Sequence, residues 1–205
     1  MMKLFHSPAS PYVRKVCVLL HELDRSDAVE PATVATTALA SDEALKAANP
    51  LARLPALERP EGTTLYDSRV ITAYLNDLFG GDLYPQTGAR WDTLTLEATG
   101  DGIMDSAVSM AYEVRLRPQE RQSQEWIEAQ WAKVARALAV LNARWMSHLS
   151  GPVTMGHVSV ACALGYLDFR HGARNWRQGN DALAGWFATF ESRPSMQQTR
   201  PPADA

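Results

Sequence analysis

Near residue 80 the hydrophobic rhythm of the chain changes, and this constrains its fold more than any other feature. Before that point short apolar runs alternate with helical stretches. Lys3–His6 predicts a short strand. Pro11–Leu23 carries apolar residues at 12, 13, 16, 19, 20 and 23, the i, i+3, i+4 spacing of a helix with one buried face. Val29–Ala35 predicts a second strand, weakened by Pro31. Asp42–Ala48 reads as a short helix ending at Asn49-Pro50. Pro55–Glu58 and Thr63–Tyr66 read as a hairpin turned at Pro60-Glu61-Gly62, and Ser68–Phe79 as a helix closed by Gly80-Gly81. The predicted order is β-α-β-α-β-β-α.

Beyond Gly80–Gly88 the spacing predicts helices only. Trp91–Leu116 runs to a stop before Pro118. Gln122–Leu149 has an apolar stripe at 127, 131, 134, 138, 141, 145 and 149, and Gly151-Pro152 ends it. Trp126, Trp131 and Trp145 lie in or beside this stripe and are expected in the core. Val158–Phe169 is apolar on nearly every side, as a central bundle helix would be. Asp181–Phe190 is the last good helix, and Arg193–Ala205, with three prolines, reads as a tail. The expected division is an α/β domain over 1–80, a linker over 81–88 and an all-helical domain over 89–205.

Composition narrows the function. In 205 residues, 46% hydrophobic and 21% charged side chains are ordinary for a globular chain with a real core. A formal net charge of −3 argues against a nucleic-acid binder. No apolar run approaches the roughly 18 residues of a membrane span, and the N-terminus lacks a signal-peptide segment. The expectation is a cytoplasmic protein with neither membrane nor nucleic acid as partner. The two cysteines, Cys17 and Cys162, sit in apolar surroundings without metal-ligand spacing and read as buried small hydrophobes. No metal site is expected.

Three segments carry chemistry. In Ser7-Pro8-Ala9-Ser10-Pro11-Tyr12-Val13-Arg14-Lys15 a strand gives way to a helix with Ser10 as N-cap and Pro11 at its first position. A hydroxyl there sits beside the positive end of the helix. Capping alone would account for it, and Ser7 is a second hydroxyl nearby. In Asn49-Pro50-Leu51-Ala52-Arg53-Leu54-Pro55-Ala56-Leu57 a proline opens a strand. In Leu65-Tyr66-Asp67-Ser68-Arg69 a strand passes directly into a helix, whose free N–H groups suit a carboxylate.

In this order and layout the three segments resemble the glutathione transferase superfamily, and the resemblance extends over essentially the whole chain. Leu164-Gly165-Tyr166-Leu167-Asp168-Phe169-Arg170 brings it nearest to small bacterial members. The resemblance implies a thioredoxin-like α/β N-terminal domain, an all-α C-terminal domain and a two-fold homodimer. It implies glutathione as co-substrate and transfer of its thiolate to a small hydrophobic electrophile, as in detoxification. Leu54-Pro55 would be a cis turn whose Leu54 backbone pairs with the cysteinyl part of glutathione, as an added strand does. Asp67 and Ser68 would hold the γ-glutamyl group, and Arg53 is placed to meet the glycyl carboxylate. Ser10 would be the catalytic residue, donating to the sulfur. With Ser rather than Cys at position 10, attack on an electrophile is favoured over thiol transfer. The electrophile would meet the helix that starts near Trp91, with Met104, Met110, Tyr112 and Arg115 as candidates. Glutathione-dependent peroxide reduction or isomerisation, and a non-catalytic glutathione-binding or protein-interaction scaffold, are the alternatives.

Two residues depart from the family pattern. Asp67 stands where Glu is usual and is one methylene shorter. His157 stands where the helical domain usually closes a capping box with Asp, so the reciprocal bond to Thr154 is expected to be lost, at about 1 kcal/mol. On that expectation His157→Asp would raise the melting temperature.

Overall fold

In the computed structural model the first apolar run, Met2–His6, forms β1 at the centre of a three-stranded sheet. It pairs in parallel with β2 (Val29–Thr33) and antiparallel with β3 (Ala56–Glu58), giving the order β2-β1-β3. Pro31 is tolerated because β2 is an edge strand, where a missing N–H costs no ladder bond. Helix α1 (Pro11–Glu22) buries Val13, Val16, Leu19 and Leu20, as its spacing requires. Helix α2 (Glu43–Ala48) is capped by Asp42, whose Oδ1 accepts from the Leu45 N–H at 3.0 Å. Helix α3 (Ser68–Leu78) packs against α1.

The predicted fourth strand is reduced to one bridge. Leu57 and Leu65 exchange both backbone hydrogen bonds at 2.9 Å, and the ladder stops there. The Arg59 guanidinium occupies the Thr63 carbonyl through Nε and Nη2, at 3.0 and 2.9 Å, across the turn containing Gly62 at φ +86°. A side chain thus takes the acceptor that a longer hairpin would use.

The structure describes residues 1–203, which divide into two compact units. The first runs from Met1 to Tyr84 and regains the chain at Pro194; the second spans Pro85–Arg193. The expected tail is therefore a docked element as far as it is described, with its positions 204 and 205 outside the described residues. Helix α9 (Pro194–Gln198) packs on α1, the Arg14 Nη2 donates to the Met196 carbonyl at 3.0 Å, and Met196 is fully buried. Its prolines hid it, because Pro194 is the first helical residue, where proline fits.

The second unit is helical throughout: α4 (Arg90–Leu116), α5 (Gln124–Arg144), the short α6 (Met146–Leu149), α7 (Met155–His171) and α8 (Asp181–Glu191). The predicted helix over 122–149 is divided at Trp145. Helix α7 is buried along Met155–Leu167 and packs against α4 and α8. Glycine makes the α4–α7 approach possible: a Cβ on Gly100 would lie 2.6 Å from the Ser159 carbonyl carbon, and one on Gly156 2.7 Å from the Leu96 Cβ. The tryptophans depart from expectation. Trp126 is 48% exposed and donates to the Ser109 hydroxyl, while Trp131 is only half-buried and carries the Arg174 guanidinium on its ring. No described helix is long and apolar enough to cross a membrane.

The expectation for His157 is also corrected. Its Nδ1 accepts the Thr154 backbone N–H at 3.1 Å, so the reciprocal capping bond exists. Burial lowers the His157 pKa to about 4, which leaves the imidazole neutral and able to accept at neutral pH. The ring also lies against Trp186 and Phe190, at 6.2 and 6.4 Å between centroids. Asp could replace the acceptor but not this packing, so the expected gain from His157→Asp falls away.

Candidate functional site

The residues proposed for glutathione all lie in the first unit, at the starts of α1, β3 and α3, whereas the electrophile candidates Met104, Met110, Tyr112 and Arg115 lie on α4 in the second. Ser10 caps α1 with extended backbone angles, and its Oγ accepts from the Val13 N–H at 3.3 Å. A hydroxyl has two lone pairs and one proton, so capping uses an acceptor and leaves the O–H as a donor. Capping and donation to a ligand are therefore compatible. Ser10 is half-buried, and its N–H is taken by the Ser7 carbonyl at 3.0 Å.

The turn before β3 is built by Asn49, which is buried. Its Nδ2 donates to the Arg53 carbonyl at 2.8 Å and its Oδ1 accepts from the Leu51 N–H at 3.0 Å. Ala52, at φ +50°, completes the turn with its N–H on the Asn49 carbonyl. Arg53 is left exposed, with no ion pair among the described residues. The Leu54-Pro55 peptide is cis. The Leu54 side chain packs on the cluster of Phe5, Leu45, Ala48 and Ala56. Its N–H and C=O make no hydrogen bond to any described residue. Asn49 is the positioning residue that motif reasoning passed over, although an Asn opening a turn through its side chain was a readable signal.

Asp67, not Ser68, caps α3. The Asp67 Oδ1 accepts from the Arg69 N–H at 3.1 Å, and Oδ2 pairs with the Arg69 Nη2 at 3.0 Å. The Tyr66-Asp67 peptide is also cis. Burial raises the Asp67 pKa, but the hydrogen bond and charge of Arg69, helped by its N–H and by Lys15, outweigh this and hold the carboxyl below its ordinary value. Lys15, fully buried in α1, thus puts positive charge behind the acid, a role its place on an apolar helix face did not announce. Ser68 is buried at the first helical position, and its carbonyl accepts from the Thr72 hydroxyl at 2.8 Å.

Cys162 is buried as expected, but Cys17 is only partly so. It lines a cavity of about 170 Å³ with Leu4, His6, Leu20, His21 and Val29, and none of the proposed site residues belongs to that cavity. Burial there lowers the His6 pKa.

What the three segments offer together is a backbone edge at Leu54 with free donor and acceptor, an ionised carboxylate at a helix start, and a hydroxyl with an uncommitted proton at another. Such a set suits a peptide-like ligand bearing an ammonium group and an acidic X–H.

Comparison with known proteins agrees with this. Residues 4–82 match the model described as glutathione S-transferase, N-terminal domain, and residues 124–189 the model for its C-terminal domain. A glutathione transferase family member from Pseudomonas fluorescens Pf-5, solved with bound glutathione, is 48% identical with a TM-score of 0.96, covering 98% of this chain and 100% of that one. A structure described likewise, with bound S-(propanoic acid)-glutathione, is 46% identical with a TM-score of 0.92 over the same shares. The uncharacterized GST-like protein YibF of Escherichia coli K12 is 31% identical over 98% of this chain and 99% of its own.

Proposed function

The chain belongs to the glutathione S-transferase family, and on that premise we propose that its first unit binds glutathione and holds the sulfur as a thiolate for attack on a small apolar electrophile. The observation that carries this reading is the open backbone at Leu54. A tripeptide laid along it would pair with the N–H and C=O as an added strand does. Asp67, kept ionised by Arg69 and Lys15, would face the γ-glutamyl ammonium. Ser68 and the first N–H groups of α3 would meet the γ-glutamyl carboxylate. Arg53, exposed beside the turn, would answer the glycyl carboxylate.

Ser10 is the proposed catalytic residue. A free thiol of pKa near 8.5–9 is only a few per cent ionised at pH 7. Lowering that pKa by two units requires about 2.7 kcal/mol in favour of the anion. One hydroxyl hydrogen bond to a charged acceptor, with the positive end of α1 behind it, is of that size. The bound thiol loses its proton to solvent, the Ser10 O–H donates to the resulting thiolate, the sulfur forms its bond to the electrophilic carbon, and the leaving group departs with its electron pair. The thioether bound in the second Pseudomonas structure is the kind of product such a step yields. A cytoplasmic homodimer acting in detoxification goes with the same reading.

A second reading is binding without conjugation, kept open by Asp67, which is one methylene shorter than the usual Glu. Calorimetric titration of glutathione tests what both share: saturable binding is expected, weakened about tenfold or more by Asp67→Asn, the loss of one charge-assisted contact. No association at millimolar glutathione would overturn both. Conjugation of a generic aryl halide then separates them, since the scaffold would show none.

A further inference from the structure

The first unit holds a cavity that the glutathione site does not use, between α1 and the edge strand β2. Three elements build it. Alternation along β1 brings Leu4 and His6 to one face, and parallel pairing sets Pro31 of β2 opposite Leu4. One turn of α1 adds Cys17, Leu20 and His21, the i, i+3 and i+4 positions of a single helix face. Leu4, Leu20 and Val29 are buried and make the floor apolar. The exposed Ser26 also belongs to the lining, so the cavity reaches the surface. Its volume is about 170 Å³. An apolar cavity of about 150 Å³ is large enough to take up benzene.

The polar part of the wall narrows what fits. The His6 Nδ1 is buried with no hydrogen-bond partner among the described residues. A buried polar atom without a partner is unfavourable unless a water or a ligand supplies one. Burial also lowers the His6 pKa, so the ring is neutral near pH 7. With its proton on Nε2, a neutral imidazole holds an acceptor at Nδ1, and a ligand O–H or N–H would answer it. Among the described residues the lining includes no carboxylate, ammonium or guanidinium, so nothing in it balances a charged ligand. The remaining wall is soft: the His21 imidazole and the sulfur of Cys17, which is in no disulfide. Imidazole and sulfur both make favourable contacts with an aromatic ring.

We propose that this cavity binds a small uncharged aromatic molecule carrying a hydrogen-bond donor, of the phenol class, with its O–H on the His6 Nδ1 and its ring against Cys17 and Leu20. The site shares no residue with the proposed glutathione site and does not depend on that reading.

The test is titration of the full chain with phenol and with fluorobenzene, a ring of matching size that offers no donor. Binding is followed through the backbone amide signals and the ring-nitrogen signals of His6. Phenol is expected to saturate a site whose amide shifts centre on Leu4, Leu20 and Val29. It should also move the His6 Nδ1 signal, which fluorobenzene should leave in place. His6→Phe keeps a ring in the wall and removes the acceptor. It should weaken phenol about tenfold and leave fluorobenzene near its wild-type affinity. If that variant fails to fold, the Nδ1 signal of the unaltered chain decides. Phenol binding that does not saturate, amide shifts confined to the second unit, an unmoved Nδ1 signal, or equal weakening of both ligands in folded His6→Phe would overturn the proposal.

Discussion

Two single residues combine an observed capping role with a further one, proposed for Ser10 and electrostatic for His157, and their substitutions should separate the roles. Ser10 caps α1 through a lone pair and has its proton to spare. Ser10→Ala removes the cap and the proposed donor: stability should fall by about 1 kcal/mol, and conjugation at pH 7 by roughly 3–50-fold as the bound thiol's pKa rises by one to two units. Ser10→Asp keeps a capping acceptor but offers no proton and places a negative charge by the sulfur. It should melt like the wild type and conjugate no better than Ser10→Ala; a Ser10→Asp protein as active as wild type would remove the hydroxyl from the mechanism. His157 gives a pH prediction. Its pKa is about 4 in the folded chain against 6.5 for an ordinary histidine. The unfolded chain therefore binds a proton first as pH falls. Stability contributed by the neutral ring is present above about 6.5 and is lost between there and pH 4, by about 2–3 kcal/mol. The lowered pKa values of the partly buried His6 and His171 act in the same direction. His157→Asn retains an acceptor for the Thr154 N–H without titrating, and its melting temperature should fall less steeply over that window. An unchanged slope would contradict the assignment.

At the scale of elements, the clearest prediction concerns the α4–α7 contact. Gly100→Ala places a methyl group against the Ser159 backbone, which cannot yield as a flexible side chain does. It should cost about 1–3 kcal/mol, read as a lower melting temperature. Legibility in the sequence followed the strength of local signals. Helices α1 and α3 were readable to within a residue because periodicity, cap residues and closing residues agreed. The hairpin arm Thr63–Tyr66 was overread, since its pattern cannot reveal that Arg59 claims the Thr63 carbonyl. Helix α9 was missed because its evidence is tertiary: Met196 is buried by docking on α1 and not by any rhythm of its own. The His157 cap was not legible, because burial, which the local sequence does not record, is what makes its imidazole a neutral acceptor.

At the scale of the whole chain, the α/β unit closes with its own C-terminal helix, and the helical unit builds a separate core around α7. Ser10, Leu54, Pro55, Asp67 and Ser68 were proposed from motif order. Asn49 and Lys15 were not, because their work is indirect: one holds the turn that presents Leu54, the other supports the ionisation of Asp67. The central claim is that this unit binds glutathione and that Ser10 keeps its sulfur ionised. The most direct measurement is the ultraviolet titration of the bound glutathione thiol in the wild type and in Ser10→Ala. A thiol ionising about two units below its free value in the wild type, and returning most of the way in Ser10→Ala, is predicted. A wild-type complex whose thiol titrates like free glutathione, or the same lowered value in both proteins, would contradict it.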